Sequence, residues 1–440
     1  MPAWSGIPIF IFTKNFDKIV SAGYALRKRG GFMKKHYAWV IAWTGALVVL
    51  LAHGFGRMSY SVILPPMKEG LSLTYTQVGL IGTGNFIGYL CLAVIGGFLA
   101  ARFGARNIIF ISLLVMGVCL FLTGLSESFG FAFVMRLITG MGNGGSYIPV
   151  MALPAAWFVV RKRGLGTGIA TVGTGIGLSL AGIILPYFIV NYGDDGWRYA
   201  WYAMGIIVFA GSFIVYALER NSPVEKGLSM YGSTGDEKGN QGSKHGVSFL
   251  SAWRDVIKER EIWKLGSVYL MYGFSYIIYL TFFIAYLTKE IGLSPKNAGG
   301  MFAVLGLCSI SSGVLWGSVS DKVGRRFGSM YAYIVLAFSY LIFAFCTNLP
   351  GLYISTIIYG FTISSIPVIL AAAAGDAVGP RLAPAGLGCI TLFFGVGQAL
   401  GPAAAGYIKD VTGSFTGAFV LSTIVSFAGV VGSLFLRKKA

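Results

Sequence analysis

Two arginines stand inside long apolar stretches of this chain, and no acidic residue lies at a comparable depth beside them. Arg57 lies in AHGFGRMSYSVILPPM, with His53 four residues before it and Tyr60 and Ser61 three and four residues after. On an α-helix these spacings share one side. Arg136 lies in FVMRLITGMGNGGSYIPV, with Asn143 seven residues on. A cation within a membrane costs at least ~2.5 kcal/mol, so it must meet water, a cavity or an anion. With no fixed carboxylate to hand, the sharp expectation is that the partner is a small carboxylate, gripped by forked hydrogen bonds from Arg57, Arg136 or both. The plainer expectation is that each guanidinium bonds helix carbonyls and steadies its bundle. His53 titrates near neutrality and neighbours Arg57, so it is either a proton carrier or a hydrogen-bonded structural imidazole.

The elements that position these groups follow from composition. The 440 residues are 55% hydrophobic and 11% charged, include 63 glycines and have a mean hydropathy of +0.73, which is the profile of an integral membrane protein. About 20 apolar residues span a bilayer as helix. The chain divides into twelve such runs: 38–64, 75–101, 107–125, 129–157, 164–190 and 199–218, then 265–288, 297–319, 327–346, 350–374, 382–407 and 414–436. The predicted organisation is an N-terminal extension 1–36, a first six-helix bundle 37–218, a linker 219–264, a second bundle 265–436 and a tail 437–440.

Lys and Arg are retained on the cytoplasmic side of a membrane. With both termini inside, only Lys68, Arg198, Lys289, Lys296 and Lys409 fall outside, Arg57 and Arg136 apart. The net charge of +18 thus reads as topology and contact with anionic lipid, not as nucleic-acid binding. Cys91, Cys119, Cys308, Cys346 and Cys389 all lie in apolar runs and form no disulfide framework. No metal-ligand cluster, P-loop or nucleophile elbow is present, and the histidines are His36, His53 and His245. Neither an enzyme, a cofactor nor an ATP-driven pump is expected. Residues 1–32 lack the order of a signal peptide, since Arg27, Lys28 and Arg29 follow the apolar piece, and read either as an upstream extension or as a short interfacial helix. The stretch 219–264, rich in Gly, Ser and charge from 232 to 248, reads as a flexible connection.

One pattern occurs twice, GFLAARFGAR from Gly97 to Arg106 and GSVSDKVGRR from Gly317 to Arg326, 220 residues apart in a chain twice that length. A repeat whose unit is a bundle of spanning helices points to a carrier with two related halves and a site between them. These turns resemble the loop 2-3 and loop 8-9 signature of the major facilitator superfamily. Arg136-Leu-Ile-Thr-Gly140-Met-Gly142 resembles a second motif of that family, and GNGGSYIPV with AAWFVVRKRGLGTGIATVGTGIG resembles its monocarboxylate and oxalate/formate branches.

The resemblance implies twelve helices in two pseudo-symmetric six-helix bundles, in a bacterial inner membrane, working as a monomer by rocking of the halves. It implies a gating latch at Gly97, Arg102, Gly104 and Arg106, and at Gly317, Asp321, Gly324 and Arg325, pairing across the seam. Ala101 stands where the first acid should be, so that copy is incomplete. Spans 1, 4, 7 and 10 would line the cavity, which adds Tyr276, Tyr279 and Tyr359 to Arg57, Arg136, His53, Tyr60 and Asn143 as substrate contacts. Span 8 carries no charge and span 11 only Gln398, unlike the named branches, so the basic chemistry sits in the first half. The expected function is transport of a small organic anion, a monocarboxylate in the first instance, with proton symport through His53. The alternative is an exporter of neutral or amphipathic molecules.

Overall fold

The computed structural model describes residues 36–233 and 249–437. The extension before residue 36, the middle of the linker and the last three residues of the tail lie outside the described residues. Twelve long helices account for most of the described residues. In order they are α1 (Ala38–Gly70), α2 (Tyr75–Phe103), α3 (Ala105–Gly124), α4 (Phe129–Ala152), α5 (Arg163–Asn191) and α6 (Gly196–Leu218), then α7 (Arg260–Lys289), α8 (Pro295–Val323), α9 (Arg325–Phe345), α10 (Leu349–Gly379), α11 (Leu382–Thr412) and α12 (Thr416–Leu434). Ten of those that can be assessed among the described residues have the length and apolarity of a membrane span, and α4 is diluted by Arg136, Asn143 and its glycines.

Local chemistry starts and stops the helices. Thr74 and Gln77 form a reciprocal capping box on α2, while Ser128, Ser294 and Asn348 cap α4, α8 and α10 with their side-chain oxygens. Three corners turn on one glycine at positive φ: Gly104 (φ 85°), Gly324 (φ 88°) and Gly379 (φ 77°). A side chain there would be strained. Gly104 and Gly324 are the same position of the repeated turn, so the duplication seen in sequence is a duplication of backbone geometry.

Helices α1–α6 pack as one bundle and α7–α12 as another, with α2 against α11, α5 against α8 and α1 against α7 along the seam. Backbones in the first bundle approach so closely that a Cβ on Gly88 would lie 1.9 Å from the Leu137 carbonyl oxygen, so only glycine fits there. The second bundle is filled instead by rings: Tyr279 stacks on Tyr359 at 4.1 Å and contacts Phe343 at 4.5 Å.

The first part of the linker is ordered against the bundle. Residues 219–233 lie against the first bundle, where Tyr231 N–H donates to the Trp157 carbonyl at 2.9 Å and Val159 N–H donates to the Tyr231 carbonyl at 3.3 Å. Trp157 Nε1 donates to the Arg220 carbonyl at 3.1 Å, and Trp39 and Phe158 pack edge-on to Tyr231. Aromatic residues hold this first part of the linker to the bundle, while the Gly- and Ser-rich stretch on which the flexible reading rests lies almost wholly outside the described residues. A short amphipathic helix, Phe249–Lys258, then leads into α7, which starts at Arg260, earlier than expected.

Candidate functional site

Arg57 sits on an irregular part of α1. From Leu50 to Met58 the backbone forms a π-helix, closed by Ser59 N–H donating to the Gly54 carbonyl at 3.0 Å. The wider turn changes the angular phase of every residue beyond it, and such segments are frequent at functional sites. Arg57 is 4% exposed; its Nη1 lies 3.4 Å from His53 Nε2, while Nε and Nη2 are buried without a hydrogen-bond partner. Its charge rests on the faces of Phe86 at 4.3 Å and Tyr89 at 5.1 Å, both from α2. Among the described residues no carboxylate forms an ion pair with it.

Arg136 is held differently. Its Nη1 donates to the Gly56 carbonyl of the π-segment at 2.8 Å, and the guanidinium lies over Tyr60 at 5.0 Å and Trp201 at 5.1 Å. Asn143 Nδ2 donates to the Ala52 carbonyl at 2.6 Å, and Asn85 Nδ2 to the Arg136 carbonyl at 3.1 Å. A π-helix offers misaligned carbonyls, and α4 answers two of them. Arg136 and Asn143 therefore clamp α4 to α1, the plainer of the two sequence expectations. A cavity between the two arginines, bounded also by Tyr60, Asn85 and Phe86, measures about 20 Å³, room for one water and not for a carboxylate.

The other expected contacts divide between seam and core. Tyr60 does not present its hydroxyl to Arg57: it donates to the Val78 carbonyl at 2.7 Å. Tyr276 is at the seam, its ring stacked on Tyr272 at 4.6 Å and its hydroxyl accepting from Gln398 Nε2. Tyr279 bonds Ser355 Oγ at 2.9 Å and Tyr359 donates to the Tyr276 carbonyl at 2.9 Å, so both hydroxyls are spent inside the second bundle. Two tyrosines not anticipated from the sequence stand nearer the cation. Tyr147 of α4 lies 4.6 Å ring to ring from His53, and Tyr89 lies under Arg57. Neither hydroxyl bonds another described residue. The field of Arg57 reaches Tyr89, Tyr147 and, across the seam, Tyr276.

Hydrogen bonds that cross between the bundles all lie, among the described residues, toward the end away from the repeated turns. Asp410, at the end of α11, accepts from Tyr75 N–H at 2.9 Å, Thr76 N–H at 2.7 Å and Thr76 Oγ1 at 2.6 Å, capping α2 across the seam. Lys289 pairs with Glu69 beside it. Deeper in, Thr83 Oγ1 donates to the Ala399 carbonyl at 2.5 Å and Ser179 Oγ to the Ala303 carbonyl at 3.0 Å. At the opposite end no ion pair or hydrogen bond of the expected latch residues crosses the seam among the described residues. Arg325 pairs with Asp321 at 2.6 Å and Asp376 at 3.2 Å, both in its own bundle, and Arg106 donates to the Tyr216 carbonyl at 2.9 Å. Among the described residues, the polar contacts that seal the seam therefore lie at one end only.

Among the described residues, twelve long helices in two related bundles around a buried cation form the architecture of a membrane transporter. The sequence matches the model of the Major Facilitator Superfamily over residues 46–287 and 265–440, and the chain belongs to that family. It is 26% identical to a probable sulfoacetate transporter of Cupriavidus necator over 87% of this chain and 90% of that protein. It is 25% identical to the hexuronate transporter of Bacillus subtilis (87% and 90% covered) and 22% identical to the cis,cis-muconate transport protein of Acinetobacter baylyi (92% and 95%). Its fold matches an inward-facing bacterial homologue of the human lysosomal transporter Spinster, with TM-score 0.71, 17% identity and 92% and 96% coverage. It also matches the nucleoside transporter NupG, with TM-score 0.72, 13% identity and 91% and 100% coverage.

Proposed function

We propose that this chain transports a small organic monoanion, in the first instance a monocarboxylate, with a proton carried on His53. The relatives named for sulfoacetate, hexuronate and muconate support an organic anion as the class of cargo. The observation that carries the reading is Arg57, a buried guanidinium with two nitrogens unpartnered and no described carboxylate beside it. Arg136 is anchored by its bond to the Gly56 carbonyl, which leaves Arg57, with two unpartnered nitrogens, as the better placed of the two guanidiniums to grip a carboxylate. The anion would reach Arg57 from the side of His53, Tyr89 and Tyr147, whose phenols can donate to it. A proton on His53 sits 3.4 Å from a guanidinium and is compatible with it only once an anion lies between them, so proton and cargo would enter together. The bacterial relatives support an inner-membrane setting, and the charge distribution supports cytoplasmic termini.

Thermal stabilisation of the purified protein by a panel of mono- and dicarboxylates, at pH 5.5 and 7.5, tests this. A ligand at one hundred times its Kd stabilises by about 2.7 kcal/mol. Monocarboxylates should raise the Tm, more so at the lower pH; Arg57→Gln should lose the rise, and Arg136→Gln should start from a lower Tm yet keep it. Equal shifts in wild type and Arg57→Gln, or a response to organic cations alone, would reject the assignment.

A further inference from the structure

The two copies of the repeated turn have diverged in charge, and beside the first copy the bundle surface opens into a groove. In the second copy Arg325, which stands where the first has Ala105, is neutralised by Asp321 and Asp376, while Lys322 and Arg326, the equivalents of Arg102 and Arg106, form no ion pair among the described residues. In the first, neither Arg102 nor Arg106 forms an ion pair among the described residues. Both guanidiniums lie on rings instead, Arg102 at 5.3 Å from Phe103 and Arg106 at 4.0 Å from Tyr216. Those two rings are walls of a groove of about 640 Å³ between the ends of α2, α3 and α6, lined otherwise by Leu99, Ile108, Phe110 and Ile111 with Asn107 at its edge. Phe103 and Ile111 are 53% and 55% exposed, so the groove is open on the outer surface of the bundle and not in the seam.

We propose that this groove holds one anionic phospholipid, its phosphate between Arg102 and Arg106 and an acyl chain along Phe103, Phe110 and Ile111. Charge complementarity selects the occupant. The walls are apolar, as a hydrocarbon chain requires, and the rim carries two cations with no described carboxylate paired to either. Glu219, whose carboxyl feels the field of Arg106, is fully buried with neither oxygen bonded, and desolvation pushes its pKa up to about 8, so at neutral pH it is mostly uncharged and does not cancel Arg106. Arg106 is also fixed in place: its amide donates to Asn221 Oδ1 at 3.0 Å and its Nε to the Tyr216 carbonyl at 2.9 Å, and its two terminal nitrogens bond no described residue. The first turn thus serves as a lipid anchor where the second serves as an internal ion-pair cluster. This holds whether or not Arg57 binds cargo.

Native mass spectrometry of the full chain in detergent, titrated with phosphatidylglycerol or with phosphatidylcholine of the same acyl chains, reads this directly. The wild type should prefer phosphatidylglycerol by about fivefold per arginine. Arg102→Gln, which removes a guanidinium that bonds no described residue, should lose its share of the preference, and Arg102→Gln with Arg106→Gln should lose all of it. Ile111→Trp, which fills the groove and leaves both arginines, should weaken binding of either lipid. Lys322→Gln, at the position equivalent to Arg102 in the second copy, should change nothing. Equal binding of the two lipids by the wild type, or a preference that survives the double variant, overturns the proposal. Competition by sn-glycerol 3-phosphate as effective as that by the lipid would make this a phosphate site and equally overturn it.

Discussion

Replacing Asp410 with Asn should unseal the end of the seam that is closed in this structure. The Asp410 carboxylate takes three hydrogen bonds from the first turn of α2, two of them backbone N–H groups at 2.9 and 2.7 Å, and it lies at the positive end of that helix. Hydrogen bonds to a charged group contribute roughly 1.5–3 kcal/mol and a helix-terminal charge roughly 0.3–1 kcal/mol. Asp410 is exposed, so water screens much of this, and Asn retains one accepting oxygen. A net loss of about 1 kcal/mol is the reasonable figure, which is about a fivefold shift toward the state open at this end. Spin labels at Asn191 on α5 and Lys296 on α8, which flank the same end, report that opening as a longer distance in pulsed electron–electron resonance. Asp410→Asn should raise the long-distance population about fivefold, and Asp410→Ala, with no acceptor left, should raise it further. Unchanged distance distributions in both variants would refute the claim that this cap holds the seam.

Two further outcomes follow from the packing and from the buried acid. Gly88→Ala should cost more than the ~1–3 kcal/mol of ordinary overpacking, because the new methyl meets a main-chain carbonyl and not a movable side chain; a melting temperature within a degree or two of wild type would contradict the close α2–α4 contact. Glu219 has a folded-state pKa near 8, above the ordinary carboxyl value of 4.5, so the folded chain holds a proton that the unfolded chain releases. Its contribution is complete below about pH 4.5 and is lost as pH rises to about 8; Glu219→Gln should flatten the fall in Tm across that window, and an unaltered slope would exclude Glu219 as its source.

Helices and their duplication were legible in the sequence because apolar runs and the paired glycine turns report directly on backbone needs: Gly104 and Gly324 are where a positive φ is required. Arg57 was legible for the same kind of reason, since a lone cation in an apolar run has few explanations. Tyr89 and Tyr147 were not, because the rotation of a helix about its own axis is fixed by neighbouring helices and leaves no periodic mark in a uniformly apolar segment. The expected alignment of His53, Arg57 and Tyr60 fails at Tyr60 for a different reason: the π-segment from Leu50 to Met58 inserts a change of phase that no residue pattern announces. Tyr279 and Tyr359 were misplaced because tyrosines at helical spacing serve a core as readily as a cavity, and here Ser355 and the Tyr276 carbonyl claim their hydroxyls.

Since duplication, the sister bundles have ceased to be interchangeable. A molecule assembled from two first halves would oppose four guanidiniums across one gap, whereas one assembled from two second halves would have no deep cation at all. Each half has therefore become an obligate complement of the other, so exchanging them between related carriers should succeed only when the recipient half is itself free of deep charge.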